Sequence, residues 1–142
     1  MSAVERAVLN VPVTIRSNGG VAERGGLDLG WSIVDPLTVH LVFRPDGEAS
    51  VEWLAGRELL ADGVGSVEPV GIGDLTVCAA GEADTCVHLS SPFGVADVFV
   101  PTVVLVMFLD GCEDACPFDS DAEAERLDAW VDTFLLTTQA TR

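Results

Sequence analysis

Chemistry in this chain would have to come from a short list of side chains. There are two histidines, His40 and His88, and four cysteines, Cys78, Cys86, Cys112 and Cys116. Acids gather at Asp110, Glu113, Asp114, Asp119 and Asp121. Both histidines fall in alternating runs, beside Leu41 and Leu89. A nucleophile–base pair such as Ser90 with His40 would need the fold to bring the two together, and no nucleophile-elbow pattern is present. Both histidines read as strand residues satisfied by a neighbour. Cys112-x-x-x-Cys116 has a spacing found in zinc ligand pairs. Cys78 and Cys86 are too far apart for a second such pair and sit in strand-like runs. The expectation is two buried strand thiols and two surface thiols. The acids lack the ligand order and central glycine of a calcium loop, and Pro117 interrupts them. They fit a solvated linker running into a helix N-terminus, where negative charge is favourable. No catalytic residue, cofactor or metal ligand is assigned, and the chain reads as non-enzymatic.

Charge narrows the field further. Seven basic residues face 23 acidic ones, for a net −16, and there is no lysine. Nucleic-acid binding draws on basic residues that release phosphate counterions, and few are available here. Anionic membrane surfaces are disfavoured for the same reason. With 142 residues and 49% apolar content, the chain is expected to form one domain, 1–142, around one core. Met1 to Arg16 carries Glu5 and has no continuous apolar stretch, so no secretory signal is read there. Val98 to Leu109 is too short to span a bilayer and contains Pro101. A cytoplasmic protein with free thiols is the expectation.

These side chains must be positioned by strands. Val39, Leu41 and Phe43 alternate with His40, Val42 and Arg44; Ala49, Val51 and Trp53 alternate with Ser50 and Glu52. Period two is the mark of a pleat. Arg44-Pro45-Asp46-Gly47 lies between them as a turn, so a β-hairpin is predicted. Leu59 and Leu60 then start a two-turn helix that Gly63 should stop. Upstream, Leu9 to Ile15 is a strand in which Pro12 points to an edge or a bulge. Ser17 to Gly26, with four glycines, reads as a flexible connection. Leu27, Leu29, Trp31 and Ile33 form a second strand that Asp35-Pro36 ends.

Downstream, Gly63 to Gly73 is a glycine-rich loop with no phosphate-binding pattern. Three meander strands follow at Asp74 to Ala80, Thr85 to Ser91 and Val95 to Val100, making about seven, mostly antiparallel. Val103 to Leu109 is apolar without a period. Its β-branched residues argue for a strand, and Pro101 in a first turn argues for a helix. Residues 110–119 read as an acidic linker. Ser120-x-x-Glu123 is a capping box, and Leu127, Trp130, Val131, Phe134 and Leu135 form the stripe of an amphipathic helix. Ser90-Ser91-Pro92-Phe93-Gly94 is a turn whose tip, Phe93, is a candidate contact.

The order of these pieces resembles one family. Asp35-Pro36, Val39-His40, Phe43, Val51-Glu52-Trp53, Arg57-Glu58-Leu59-Leu60-Ala61-x-Gly63, Gly71-Ile72-Gly73-Asp74 and Leu89 to Gly94 together look like the SsgA-like sporulation-specific cell division proteins, the SsgA/SsgB family. Asp35, Pro36, Trp53, Leu60, Gly73, Asp74, Ser91 and Pro92 match the signature, mostly as turn and core positions. The resemblance implies an α+β fold, mostly antiparallel sheet with a short helix after the hairpin and C-terminal helices, similar to the whirly proteins. It implies a helix over Val103 to Leu109 and a trimer. A helix apolar on all sides needs a second cover, so Val103, Val104, Val106, Met107 and Phe108 are candidate oligomer or partner contacts beside Phe93. The resemblance further implies control of septum placement at division septa through protein–protein binding. The partners would be the tubulin-like division protein FtsZ, which is recruited or stabilised, and an SsgA-type protein. The alternative class is a whirly-like single-stranded nucleic-acid-binding module, against which the charge speaks. Two departures stand out: the apolar 103–109 segment replaces a more polar family stretch, and lysine is absent.

Overall fold

The computed structural model describes residues 6–45 and 49–117. One seven-stranded antiparallel sheet curls around the core. Its strands are β1 Arg6–Ser17, β2 Ala22–Ser32, β3 Asp35–Pro45, β4 Val51–Gly56, β5 Leu75–Ala80, β6 Asp84–Ser91 and β7 Gly94–Pro101. They lie in the order β4-β3-β2-β1-β7-β6-β5. Two helices, α1 Arg57–Gly63 and α2 Thr102–Ala115, complete an α+β fold.

Alternation places the core. Val11 faces Leu27, Leu27 faces Phe43, and Phe43 faces Val51 across four strands. On the other half Ile15 faces Val98, Val98 faces Val87 and Val87 faces Val77. Apart from Val51, which is exposed, these side chains are buried on one face, where Leu60 of α1 and Leu105, Phe108 and Leu109 of α2 close over them. Burying each such side chain contributes about 1.5–3 kcal/mol.

Several expectations change. The connection at Ser17 to Gly26 is mostly strand: β2 begins at Ala22 and runs through both glycines. A Cβ on Gly25 would come within 2.7 Å of Ile15 Cδ1 and 3.0 Å of the Arg44 carbonyl oxygen, so glycine there permits close packing. Gly63 does not stop α1 through a left-handed turn. It is the last helical residue, and any Cβ would run into the side chain of Val77. Residues 110–115 are not a linker but the last turns of α2, which carries Cys112 inward with Leu109. Ala49 lies outside β4, and Ile33 sits in the β2–β3 turn. Pro12 lies on a partly open edge, as its missing N–H requires: β1 pairs with β7 only over Thr14 to Ser17. The Asp46-Gly47 turn and the 120–135 helix fall outside the described residues.

Candidate functional site: an apolar cleft beneath a fixed aromatic tip

The β6–β7 turn presents Phe93, which is 96% exposed. Its backbone N–H donates to Ser91 Oγ at 3.1 Å. Gly94 takes φ +139, a region that side chains avoid. Asn18, in the β1–β2 turn at φ 51, braces this tip. Its N–H donates to the Val95 carbonyl at 2.7 Å, and Val95 N–H donates to Asn18 Oδ1 at 2.9 Å. A Cβ on Gly94 would collide with that same amide group. The aromatic tip is therefore held at both ends of its turn.

Beside it opens a cleft of about 390 Å³ where the curled sheet spreads. Phe43, Val51 and Trp53 line one wall and Leu89, Phe93 and Val95 the other. Exposed apolar surface of this kind commonly marks an interaction site. The arrangement can bind an apolar side chain; the polar side chains among its described lining residues are Ser17, Asn18 and Ser91. A second trough of about 390 Å³ is mixed, with Arg6, Asp28, His40 and Glu52 along it beside Ala7, Val8 and Val42.

The α2 candidates divide. Val103 and Met107 are 66% and 67% exposed, Val104 and Val106 are partly covered, and Phe108 is buried at 7%. Phe108 packs in the chain's own core and is removed from the contact surface, because one helical face must cover the sheet.

The histidines lie on opposite halves of the sheet. His40 Nδ1 is 3.3 Å from Glu52 Oε1. His88 Nδ1 is 2.6 Å from Asp97 Oδ1. Strands β2, β1 and β7 separate His40 from Ser90, so that pair is not assembled. The cysteine expectation is inverted: Cys112 and Cys116 are buried, and Cys78 and Cys86 are half-buried on the outer face. All four are free thiols. Burial first, and then the Asp97 carboxylate, push Cys86 up to about 12. Burial pushes Cys112 up to about 11, against the pull of Arg57. Among the described residues no group of three ligands could hold a metal ion.

One residue that the sequence names only within the family pattern ties the elements together. Arg57, 1% exposed, opens α1 and reaches both the end of α2 and the start of β3. It donates to the carbonyls of Pro36 at 3.1 Å and Cys116 at 2.7 Å and to Glu113 Oε2 at 3.1 Å. The Pro36 carbonyl also accepts from Trp31 Nε1 at 2.9 Å. Its signals in the sequence are its place in the family pattern and an arginine opening a helix in a chain with few basic residues.

These features define a class: a small α+β protein with one curled antiparallel sheet, an anchored aromatic tip and two closing helices. Residues 26–121 match the family model described as Streptomyces sporulation and cell division protein, SsgA. The chain is 31% identical over 137 residues to the sporulation-specific cell division protein SsgB of Streptomyces coelicolor, covering 89% of this chain and 97% of that one. It is 35% identical over 114 residues to SsgB of Frankia casuarinae, covering 78% of each. A solved structure described with SsgB mutations that correlate to longitudinal cell division during sporulation of Streptomyces coelicolor superposes with a TM-score of 0.74 at 27% identity. That likeness spans 89% of this chain and 99% of the other. The fold also matches an SsgA-like sporulation-specific cell division protein from Thermobifida fusca, with a TM-score of 0.76 at 24% identity, over 94% and 99% of the two chains. The chain belongs to the SsgA family of sporulation-specific cell division proteins. No helix among the described residues is long and apolar enough to cross a membrane.

Proposed function

We propose that this protein acts at division septa during sporulation by binding other proteins, and that it recruits or stabilises the polymer of FtsZ. The observation that carries this reading is Phe93, fully presented on a braced turn beside an apolar cleft. A large aromatic ring held rigidly in water is costly unless something covers it, and such anchors dominate binding energy when buried in a partner. Membership in a cell division family directs the choice of partner. The outward stripe of α2, Val103 and Met107, is proposed as the contact between copies, with a trimer as the assembly.

Co-sedimentation with assembled FtsZ tests the first part. The chain is expected to pellet with polymer in GTP and to stay in solution without it. Phe93→Ala should abolish pelleting while leaving the unfolding midpoint unchanged. Wild-type protein that stays in solution beside a pelleting SsgB overturns the FtsZ reading and leaves another division protein as partner. Light scattering at micromolar concentration tests the second part, and a monomer there removes it.

A further inference from the structure

Cys78 on β5 and Cys86 on β6 are direct cross-strand partners, so their side chains leave the sheet on the same outer face. Ser90 N–H donates to the Asp74 carbonyl at 2.8 Å. Hydrogen-bonded pairs recur every second residue along an antiparallel ladder, so Thr76–His88 and Cys78–Cys86 fall at such pairs. Their Cα atoms then stand about 5.5 Å apart, inside the roughly 4.4–6.8 Å that a disulfide spans, and their Cβ atoms, about 5.5 Å apart at such a pair, must close by about 1 Å as the bond forms. Both thiols are free and half-buried, within reach of a small oxidant.

Their neighbours are arranged for the step. Cys86 Sγ lies 3.8 Å from Asp97 Oδ1, and the same oxygen is 2.6 Å from His88 Nδ1. Thiol, carboxylate and imidazole thus form a line on β6 and β7, and the imidazole at its far end is partly open to water. The Cys78 thiol makes no side-chain hydrogen bond or ion pair among the described residues.

We propose that Cys78 and Cys86 form a two-electron oxidation site for a peroxide, Cys78 reacting first and Cys86 closing the disulfide with Asp97 as its base. Cys78 gives its proton to solvent, the thiolate attacks one peroxide oxygen, the O–O bond breaks, and the leaving oxygen takes a proton from solvent and departs as water or an alcohol. Cys78 is then a sulfenic acid. Cys86 sulfur attacks the Cys78 sulfur, its proton passes to Asp97 Oδ1 and on to the sulfenic oxygen, the S–O bond breaks, and that oxygen leaves as water. In sum two thiols and one hydrogen peroxide become one disulfide and two waters. A dithiol reverses it by exchange. The raised affinity of Cys86 for its proton fits a thiol that waits protonated for a partner already activated. Cys112 and Cys116, buried, are the internal comparison.

The full chain is treated with hydrogen peroxide, blocked with N-ethylmaleimide and cut after glutamate. Glu82 lies between Cys78 and Cys86, and Glu113 lies between Cys112 and Cys116, so each link would join two separate peptides. The expected product joins the Cys78 and Cys86 peptides, with Cys112 and Cys116 alkylated only after unfolding. Cys86→Ser should stop at a Cys78 sulfenic acid that dimedone traps. Asp97→Asn should slow closure by at least about tenfold while dimedone trapping proceeds at the wild-type rate. No Cys78–Cys86 link in the wild type, or a Cys112–Cys116 link forming first, overturns the site. An unchanged closure rate in Asp97→Asn overturns the role of Asp97.

Discussion

The Arg57 guanidinium donates to the Cys116 carbonyl at 2.7 Å, from the first residue of α1 to the residue that caps α2. The last carbonyls of a helix have no partner within it, and the negative end of its dipole favours a cation. Arg57 meets both needs while also binding Pro36 and Glu113. Its charge is almost wholly withdrawn from water, so its partners must hold it. Arg57→Ala is expected to cost about 3 kcal/mol, because buried carbonyls would lose their donor. Arg57→Lys should recover little of that, since one ammonium cannot reproduce a fork aimed at separate acceptors. Glu113 is half-exposed, and Glu113→Gln should cost about 1 kcal/mol or less. Urea midpoints of the three variants check the ranking.

Gly63 meets Val77 so closely that no Cβ fits between them. Alanine is the better helix former by about 1 kcal/mol, yet Gly63→Ala should destabilise by about 1–3 kcal/mol through overpacking. Val77→Ala alone should also destabilise, by leaving a void. Combined, the two should cost less than their sum, because the new methyl enters the space the valine leaves. A double-mutant cycle in urea measures this, and simple additivity would show that the two residues do not press on each other.

The strands were legible because one face of each is buried, and burial writes period two into Val39-Leu41-Phe43 and Leu27-Leu29-Trp31. Glycine was harder to read. At Gly25 and Gly63 it serves close approach, which depends on residues distant in sequence, whereas flexibility and helix termination are its local meanings. The acids around Gly111 hid the end of α2, although Leu105, Phe108, Leu109, Cys112 and Cys116 keep a helical spacing through them. Once the helix is extended, the two cysteines turn inward. Arg57 was legible as part of the family pattern but not as a buried group, because a charged residue is ordinarily a surface residue and only the assembled helix ends show what it binds. In the candidate site Phe93 was legible from its turn, but the cleft joins β4 to β7, which no local pattern announces.

Alkaline stability should be governed by thiols. The chain has no tyrosine and no lysine, so between pH 9 and pH 12 cysteine is the only side chain that titrates appreciably. Burial raises Cys112 from 9.0 to about 11 in the folded protein. The folded state therefore holds its proton more tightly than the unfolded chain. The associated stability is fully present below pH 9 and is lost as pH rises through about 11. A shift of this size corresponds to about 3 kcal/mol, of which about 2 kcal/mol is lost by pH 11. Cys112→Ala should start from a lower stability at pH 7, where it leaves a small void, but should lose about 2 kcal/mol less than the wild type on going to pH 11. Urea unfolding of both proteins at the two pH values decides it, and parallel losses would show that Cys112 titrates alike folded and unfolded.

The two faces of α2 should separate stability from association. Leu105 and Phe108 are buried against the sheet, and Val103 and Met107 face outward. Phe108→Ala should cost about 3–5 kcal/mol, the usual price of an emptied aromatic site. Met107→Ala should stay within about 0.5 kcal/mol when unfolding is followed in dilute, monomeric protein. If the outward stripe joins copies of the chain, Val103→Glu with Met107→Glu places charges where an apolar contact stood. That variant should sediment as a monomer at concentrations where the wild type is assembled, with little change in its own unfolding curve. The wild type, by contrast, should unfold at a midpoint that rises with protein concentration, because assembly binds only the folded form. A midpoint independent of concentration would show that the exposed stripe of α2 has no second copy upon it.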